Sequence, residues 1–239
     1  MTDASRQALR ANAEHYSQPD AFEYVSTKYH DRRIRVAREL LEKYLPPTSE
    51  RLVLLDVGPG NTSPVNMDSY PRATRIAVDA TRSALQRSHG FTDRVCADSA
   101  AGLPFADESI NAIYCGELIE HLFDPRIFLH DCHRVLAPDG LLLVTTPNIA
   151  TLQDRIRFLF GRSPRHIDPL HPYIRLHIRP FTPDLLARTL LDANLIPVET
   201  RSNFIDLHIQ GKRYNVPYIA RITPNLGGTI ITIGRKGKY

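Results

Sequence analysis

The sequence predicts an α/β protein with a seven-stranded, mostly parallel sheet, an antiparallel last strand and helices on both faces. Through the first 150 residues, short apolar runs typical of buried strands alternate with segments of helical periodicity, which indicates a doubly wound sheet. The last two apolar runs, at 196–200 and 229–233, are joined by a polar stretch that contains Pro217, Pro224 and Gly227. Such a stretch favours a hairpin connection over a helical crossover, so we expect the last strand to be antiparallel.

The composition fits one globular domain without a membrane span. The chain has 239 residues, 42% hydrophobic and 23% charged, with a net charge of +4 and a pI near 9.0. The polar N-terminus lacks the apolar core of a signal peptide, and no apolar run reaches about 18 residues. Three cysteines lack a CxxC spacing, so we expect buried free thiols and a cytoplasmic protein.

The first elements lead to a glycine turn. Apolar residues recur at helical spacing over 33–45, and Pro46-Pro47 ends that segment. A fully apolar strand at 52–55 then runs into Asp56-Val-Gly58-Pro-Gly60. A Gly-x-Gly turn after a buried strand lets backbone N–H groups approach a ligand. A short helix is expected after Ser63-Pro64.

The next three strands each end near an acidic residue. Strands are predicted at 75–78, 94–97 and 110–115. Asp124-Pro125 then begins an amphipathic helix, and a turn at 138–140 leads into a fifth strand at 141–145. Helices are expected within 149–160 and 181–194, on either side of a segment with a loop-like composition.

Three acids occupy equivalent positions at or just after strand ends. Asp56, Asp79 and Asp98 therefore meet at one edge of the sheet, where open α/β sheets bind ligands. Asp79 follows Gly60 by 19 residues, close to the spacing of about 20 at which an acid binds a ribose diol. The Asp98 carboxylate is able to accept a hydrogen bond from an adenine amino group. Together these features predict a nucleoside-containing ligand.

Several motifs resemble those of the class I S-adenosylmethionine-dependent methyltransferases, most closely the ubiquinone and menaquinone biosynthesis branch. The resemblance is dense over 50–145 and looser over 177–236. Its motifs are Asp56-Val-Gly58-Pro-Gly60, Ala77-Val-Asp79, Ala97-Asp98 through Asp107, Glu117-Leu-Ile-Glu120-His121-Leu, His133 through Gly140, His177-Ile-Arg-Pro-Phe181-Thr-Pro183 and Gly227 through Lys236.

The resemblance implies a Rossmann-like fold, S-adenosyl-L-methionine as cofactor and a small-molecule acceptor. The glycine turn would hold the methionine part, Asp79 the ribose and Asp98 the adenine, and Glu117 and Leu118 would line the face of methyl transfer. At Thr62 the family often has a third glycine, so the chain differs there. The full set of expected cofactor-binding residues is Asp56, Gly58, Gly60, Asp79, Ala80, Asp98, Ser99, Glu117 and Leu118.

We expect a single methyltransferase domain over 1–239. Its parts are an N-terminal helical cap (1–48), a cofactor-binding half (49–147), a substrate-covering insertion (148–180) and a C-terminal helix and strands (181–239).

For catalysis, His121 is the candidate base, because it follows the fourth strand and histidine accepts a proton near neutral pH. No metal site is predicted, since the spacing of His166, His171 and His177 matches no common metal motif. We expect transfer to a hydroxyl of a sugar, a glycan or lipid precursor, or a natural product. An arginine-rich insertion favours a sugar, a glycan precursor or a phosphorylated acceptor, through Arg155, Arg157, Arg162 and Arg165. Tyr24, Tyr29 and Arg33 are candidates to close over the cofactor, with packing favoured for the tyrosines.

Three alternatives stay open at this point. A dehydrogenase would share the turn and the ribose acid, but position 63, where Gly-x-Gly-x-x-Gly requires glycine, is serine. A nucleic-acid methyltransferase would suit the basic charge, yet the fourth strand lacks the Asn/Asp-Pro-Pro-aromatic ending of base methylation, and no RNA-binding motif is present. The third alternative is a non-catalytic subunit that binds the cofactor and serves a partner protein. The sequence is also compatible with a homodimer.

Overall fold

A computed structural model describes residues 3–16, 18, 28–45, 51–60, 63–65, 69–171, 174–209 and 212–238. Its main sheet has seven strands in the order β3-β2-β1-β4-β5-β9-β6. The nine strands are β1 (Val53–Val57), β2 (Thr74–Asp79), β3 (Asp93–Cys96), β4 (Ile110–Gly116), β5 (Leu136–Pro147), β6 (Leu195–Ser202), β7 (Ile205–Ile209), β8 (Lys212–Val216) and β9 (Thr229–Lys236).

The helices follow the predicted alternation, and two of them begin at the predicted caps. They are α1 (Asp3–Tyr16), α2 (Lys28–Tyr44), α3 (Arg82–Arg87), α4 (Pro125–Val135), α5 (Leu152–Leu159), α6 (Pro183–Asp192) and α7 (Pro217–Ile222). The Asp124 carboxylate accepts from the Arg126 N–H, and Pro125 occupies the first helical position of α4. Thr182 caps α6 in the same way by accepting from the Leu185 N–H. Among the described residues, none of the helices has the length and apolar character needed to cross a bilayer.

The strand pairing confirms the predicted sheet and places the acids at one edge. β1 pairs in parallel with β2 and β4, and β2 pairs in parallel with β3. β9 runs antiparallel to both β5 and β6, as the hairpin-like connection predicts. The sheet order reverses between β1 and β4, so the carboxyl ends of β1, β2 and β4 surround the point where doubly wound sheets bind ligands.

The core lies on both faces of the sheet because side chains alternate along each strand. Leu54 of β1 packs with α2 residues such as Leu40 and Leu41 on one face. The next residue, Leu55, packs with α4 residues such as Phe128 and Leu129 on the other. The side chains of both layers are buried, and their close packing holds the strand ends that carry the site.

The structure corrects several sequence-based expectations. α2 begins at Lys28 rather than near residue 33. No helix follows the glycine turn in the described stretches 63–65 and 69–73, which form turns, and Thr62 lies outside the described residues. Cys115 and Cys132 are buried free thiols as predicted, but Cys96 is exposed. The connection from β6 to β9 carries its own β7–β8 hairpin and the short helix α7.

Candidate functional site

A cleft of about 1330 Å³ opens at the carboxyl ends of β1, β2, β3 and β4. Nine of the ten residues predicted for the site line this cleft, which places them around one space. They are Gly58, Gly60, Asp79, Ala80, Asp98, Ser99, Glu117, Leu118 and His121.

The glycine turn forms the floor of the cleft. The Gly58 N–H donates to the Val78 carbonyl at 2.8 Å, which ties the turn to β2. Gly58 has a φ of +72°, a left-handed conformation that favours glycine, and a Cβ there would lie 3.4 Å from the Leu118 side chain. A Cβ at Gly60 would meet no protein atom within 4 Å. Gly60 therefore leaves room for a ligand, whereas Gly58 is needed by the fold.

Asp79 ends β2 and faces the cleft with a fixed carboxylate. Its Oδ1 accepts from the Thr81 N–H at 2.7 Å and from the Thr81 hydroxyl at 2.9 Å. Burial raises the pKa of the carboxyl, and the two Thr81 bonds oppose that shift. A carboxylate oriented in this way suits a pair of ribose hydroxyls.

Asp98 presents an unsatisfied acceptor to the cleft. Its Oδ1 accepts from the Ala100 N–H at 3.0 Å, which fixes the side chain. Its Oδ2 is buried and has no hydrogen-bond partner among the described residues. Since buried acceptors are rarely left unpaired, this oxygen indicates a donor that a ligand would bring. The site therefore fits an adenosyl group.

Asp56 differs from the other predicted site residues. It is 1% exposed and does not line the cleft. Neither carboxylate oxygen has a partner among the described residues with good hydrogen-bond geometry. Burial raises the pKa of this group to about 7, and the nearby Ser63 hydroxyl and Arg33 charge oppose that shift. The prediction of direct ligand contact therefore does not match its position, since the turn that follows β1 covers the strand end.

Arg33 reaches the cleft from α2 and joins a buried polar network. Its guanidinium donates to the Thr145 hydroxyl at 2.9 Å and lies 3.5 Å from Glu117 Oε1. Thr145 donates in turn to the same Glu117 oxygen at 3.0 Å. Glu117 has a φ of +54°, so its strained backbone is held by these contacts. Burial raises the pKa of Glu117, and the Arg33 charge opposes the shift.

His121 lines the cleft in a defined tautomer. Its Nδ1–H donates to the Leu176 carbonyl at 3.0 Å, which leaves the lone pair of the neutral ring on Nε2. The side chain is almost completely buried, and burial lowers the pKa of His121 to about 4. The imidazole is therefore neutral near pH 7.

The far wall of the cleft comes from α1, which lies within the predicted N-terminal helical cap. Leu9 and Asn12 line the cleft, and α1 packs against the turn at Ile174–Leu176. The described part of 148–180 supplies no lining residue, although Leu176 holds His121. The Tyr29 ring packs edge-on against Phe204, in agreement with a packing role, while Tyr24 lies outside the described residues.

Three of the four arginines between residues 155 and 165 of the insertion make internal contacts, and the fourth, Arg162, is exposed. Asp154 is 1% exposed, and its Oδ1 accepts from the Arg165 N–H at 3.2 Å and from Arg165 Nε at 3.1 Å. Arg157 lies 3.9 Å from the same oxygen, and Arg155 donates to the Ala150 carbonyl. These contacts give the cluster a structural role.

Sequence comparisons identify the class of protein to which these features belong. Residues 55–144 match the family model described as a methyltransferase domain. A protein named as a probable S-adenosylmethionine-dependent methyltransferase of Mycobacterium tuberculosis is 31% identical over 162 residues, 67% of this chain and 54% of that protein. A ubiquinone/menaquinone biosynthesis C-methyltransferase of Desulfotalea psychrophila is 32% identical over 136 residues, 54% of each. The chain thus spans about half the length of these relatives.

The fold agrees with that class. The 1,6-didemethyltoxoflavin-N1-methyltransferase of Burkholderia thailandensis was solved with 1,6-didemethyltoxoflavin and S-adenosylhomocysteine bound. It superposes with a TM-score of 0.63 at 14% identity, covering 100% of this chain and 92% of that one. At this identity the similarity concerns the fold.

Proposed function

We propose that this chain, which belongs to the class I S-adenosylmethionine-dependent methyltransferases, transfers a methyl group to an oxygen of a small-molecule acceptor. The strongest support is the unpartnered, buried Asp98 Oδ2 in a cleft that also presents Asp79 and the glycine turn. When bound, S-adenosylmethionine supplies an electrophilic methyl group on a sulfonium sulfur.

Different residues of the cleft bind different parts of the cofactor. Asp79 binds the ribose hydroxyls and Asp98 the adenine amino group, with the Ser99 amide beside it. The open space at Gly60 lets the backbone approach the methionine part. Arg33 is the charged side chain of the cleft that suits the methionine carboxylate, because it lies next to the turn and is held by Thr145.

The acceptor binds near the apolar residues that follow Leu118 in the chain. Leu122, Phe123 and Ile127 line the cleft there, together with Leu9 of α1 and the acid Asp124. A hydroxyl carried by an apolar body, such as a lipid or glycan-lipid precursor or a natural product, suits this surface. Arg33 is the one basic side chain among the described lining residues, which does not support a nucleic-acid substrate.

His121 acts on the acceptor hydroxyl. Its neutral ring places a lone pair on Nε2, and the Leu176 carbonyl holds the ring in that orientation. In-line transfer depends mainly on aligning the acceptor oxygen with the methyl group, so the enclosing α1 and the fixed ring provide most of the effect. The free thiols Cys96, Cys115 and Cys132 support a reducing, cytoplasmic location.

Calorimetry followed by a turnover screen tests this function. We expect one molecule of S-adenosylhomocysteine to bind per chain in preference to NAD, and Asp79→Asn to weaken binding about tenfold or more. The matched control Asp184→Asn, an exposed acid on α6, should bind as the wild type does. No binding, or preference for NAD, would overturn the proposal.

Methyl transfer is then measured with radiolabelled S-adenosylmethionine and a panel of hydroxylated lipids and glycan precursors. We expect His121→Gln to lower kcat while the dissociation constant of S-adenosylhomocysteine stays unchanged. Tight cofactor binding without turnover of any acceptor would instead favour a non-catalytic partner subunit.

A further inference from the structure

Glu120, His121 and His177 form a buried cluster beside the cleft. The first two lie on the short 3-10 turn Ile119–His121 after β4, and His177 follows the turn at Ile174–Leu176. One potential ligand atom from each side chain lies within 4.8 Å of the other two. The two imidazole rings pack edge to face with centroids 4.8 Å apart. Residues 56 positions apart in the chain thus converge on one point.

The carboxylate of Glu120 has an oxygen that the protein does not satisfy. Glu120 is 1% exposed, and its Oε2 accepts from the Thr146 hydroxyl at 2.9 Å. Its Oε1 is buried without a hydrogen-bond partner among the described residues. This oxygen lies 4.0 Å from His121 Nε2, but a neutral imidazole forms no ion pair with a carboxylate. Burying such an oxygen is costly unless a cation or a donor meets it.

The surrounding hydrogen bonds match those that support metal ligands. A metal-bound histidine donates its other ring N–H to a carbonyl or carboxylate, and a ligating carboxylate is itself hydrogen-bonded. His121 Nδ1–H donates to the Leu176 carbonyl, and Thr146 donates to Glu120 Oε2. The other polar atoms of these two side chains, His121 Nε2 and Glu120 Oε1, lie 4.0 Å apart.

We propose that Glu120, His121 and His177 bind a divalent transition-metal cation at the edge of the cleft. Two imidazole nitrogens and one carboxylate oxygen suit zinc, cobalt, manganese or ferrous iron, whereas calcium prefers oxygen ligands alone. Ligands at about 2.1 Å around a tetrahedral zinc lie about 3.4 Å apart. The observed separations reach 4.8 Å, so the three side chains must move closer together when the cation binds.

The site has a consequence for catalysis that rests on the proposed function. With a cation bound, His121 would act on the acceptor hydroxyl through the metal and would not itself take the proton. The cation would lower the pKa of a hydroxyl that ligates it, and the proton would leave to solvent. The oxygen then forms its bond to the methyl carbon as the carbon–sulfur bond breaks, and the sulfur leaves as a neutral thioether.

Cobalt titration of the full-length, chelator-stripped protein tests the site directly. We expect one Co²⁺ per chain with visible d–d absorption bands, and displacement of those bands by Zn²⁺. Glu120→Gln and His177→Gln should each weaken Co²⁺ binding at least tenfold. His130→Gln is the matched control, since this exposed histidine on α4 lies outside the cluster. Absence of the bands in the wild type, or bands unchanged in both cluster variants, would overturn the proposal.

Calorimetry with S-adenosylhomocysteine on the same samples separates the two proposals. Cofactor binding retained in Glu120→Gln shows that this variant is folded, and the partly exposed His177→Gln provides a second substitution if it is not. Wild-type protein that binds the cofactor but no Co²⁺ would refute the metal site alone. Protein that binds Co²⁺ but no cofactor would refute the methyltransferase function alone.

Discussion

Replacing Asp98 by asparagine tests the assignment of the adenine subsite. The Asp98 Oδ1 accepts from the Ala100 N–H, so the oxygen of an asparagine must take that place. Its NH₂ group then replaces the buried Oδ2 and presents a donor to the cleft. A charge-assisted hydrogen bond to the adenine amino group is worth about 1.5–3 kcal/mol. Its loss should weaken S-adenosylhomocysteine binding about 10- to 150-fold.

The ligand-free protein should respond in the opposite sense. The substitution removes a buried negative oxygen without a partner, so the thermal midpoint of the ligand-free protein should not fall. Calorimetry and thermal denaturation measure the two effects on the same samples. Asp93→Asn is the matched control, because this exposed acid lies at the opposite end of β3. It should change neither quantity.

A ligand analogue makes the test specific to the amino group. S-inosylhomocysteine carries a carbonyl oxygen where adenine carries its amino group. The wild-type carboxylate should repel that oxygen, whereas the asparagine NH₂ should donate to it. Asp98→Asn should therefore bind the inosine analogue at least as tightly as the wild type does. An equal loss of affinity for both ligands, or no loss for either, would refute the assignment of Asp98 to adenine.

Four further substitutions follow from the structure. Gly60→Val should abolish cofactor binding in calorimetry while leaving the thermal midpoint near the wild-type value, whereas Gly58→Ala should lower the midpoint because of its φ of +72°. Burial raises the pKa of Asp56 from 3.8 to about 7, so its charged form costs stability above pH 7, and this cost disappears as the pH falls toward 4. In urea unfolding between pH 4 and 8, Asp56→Asn should remove a decrease of about 4 kcal/mol in the free energy of unfolding. An unchanged dependence of that free energy on pH would contradict the prediction. Asp154→Ala should destabilise the protein by about 2–3 kcal/mol in urea unfolding without changing cofactor affinity, and a selective loss of turnover would show that the arginine cluster acts on the acceptor.

The sequence located most of the cofactor site because its signals are local. A buried strand, a Gly-x-Gly turn and acids after successive strands can each be recognised in a short window. Parallel strands place their carboxyl ends on one edge, so Asp79 and Asp98 had to approach the turn once the fold class was known. Asp56 shows the limit of that reasoning, because the strand end predicts its position but not whether the turn covers its side chain.

The remainder of the site depends on contacts between distant segments. α1 encloses the cleft, Arg33 enters it from α2, and His177 joins Glu120 across 57 residues of chain. No periodicity or fixed spacing in the sequence predicts these contacts, because each depends on how a helix or loop packs on the folded sheet. The sequence by itself determined the sheet, the turn and the acids that indicate an adenosyl ligand, since these follow from local backbone preference and strand polarity. Only the tertiary structure decided which wall encloses the acceptor and which polar atoms are buried without a partner, since burial depends on the whole fold.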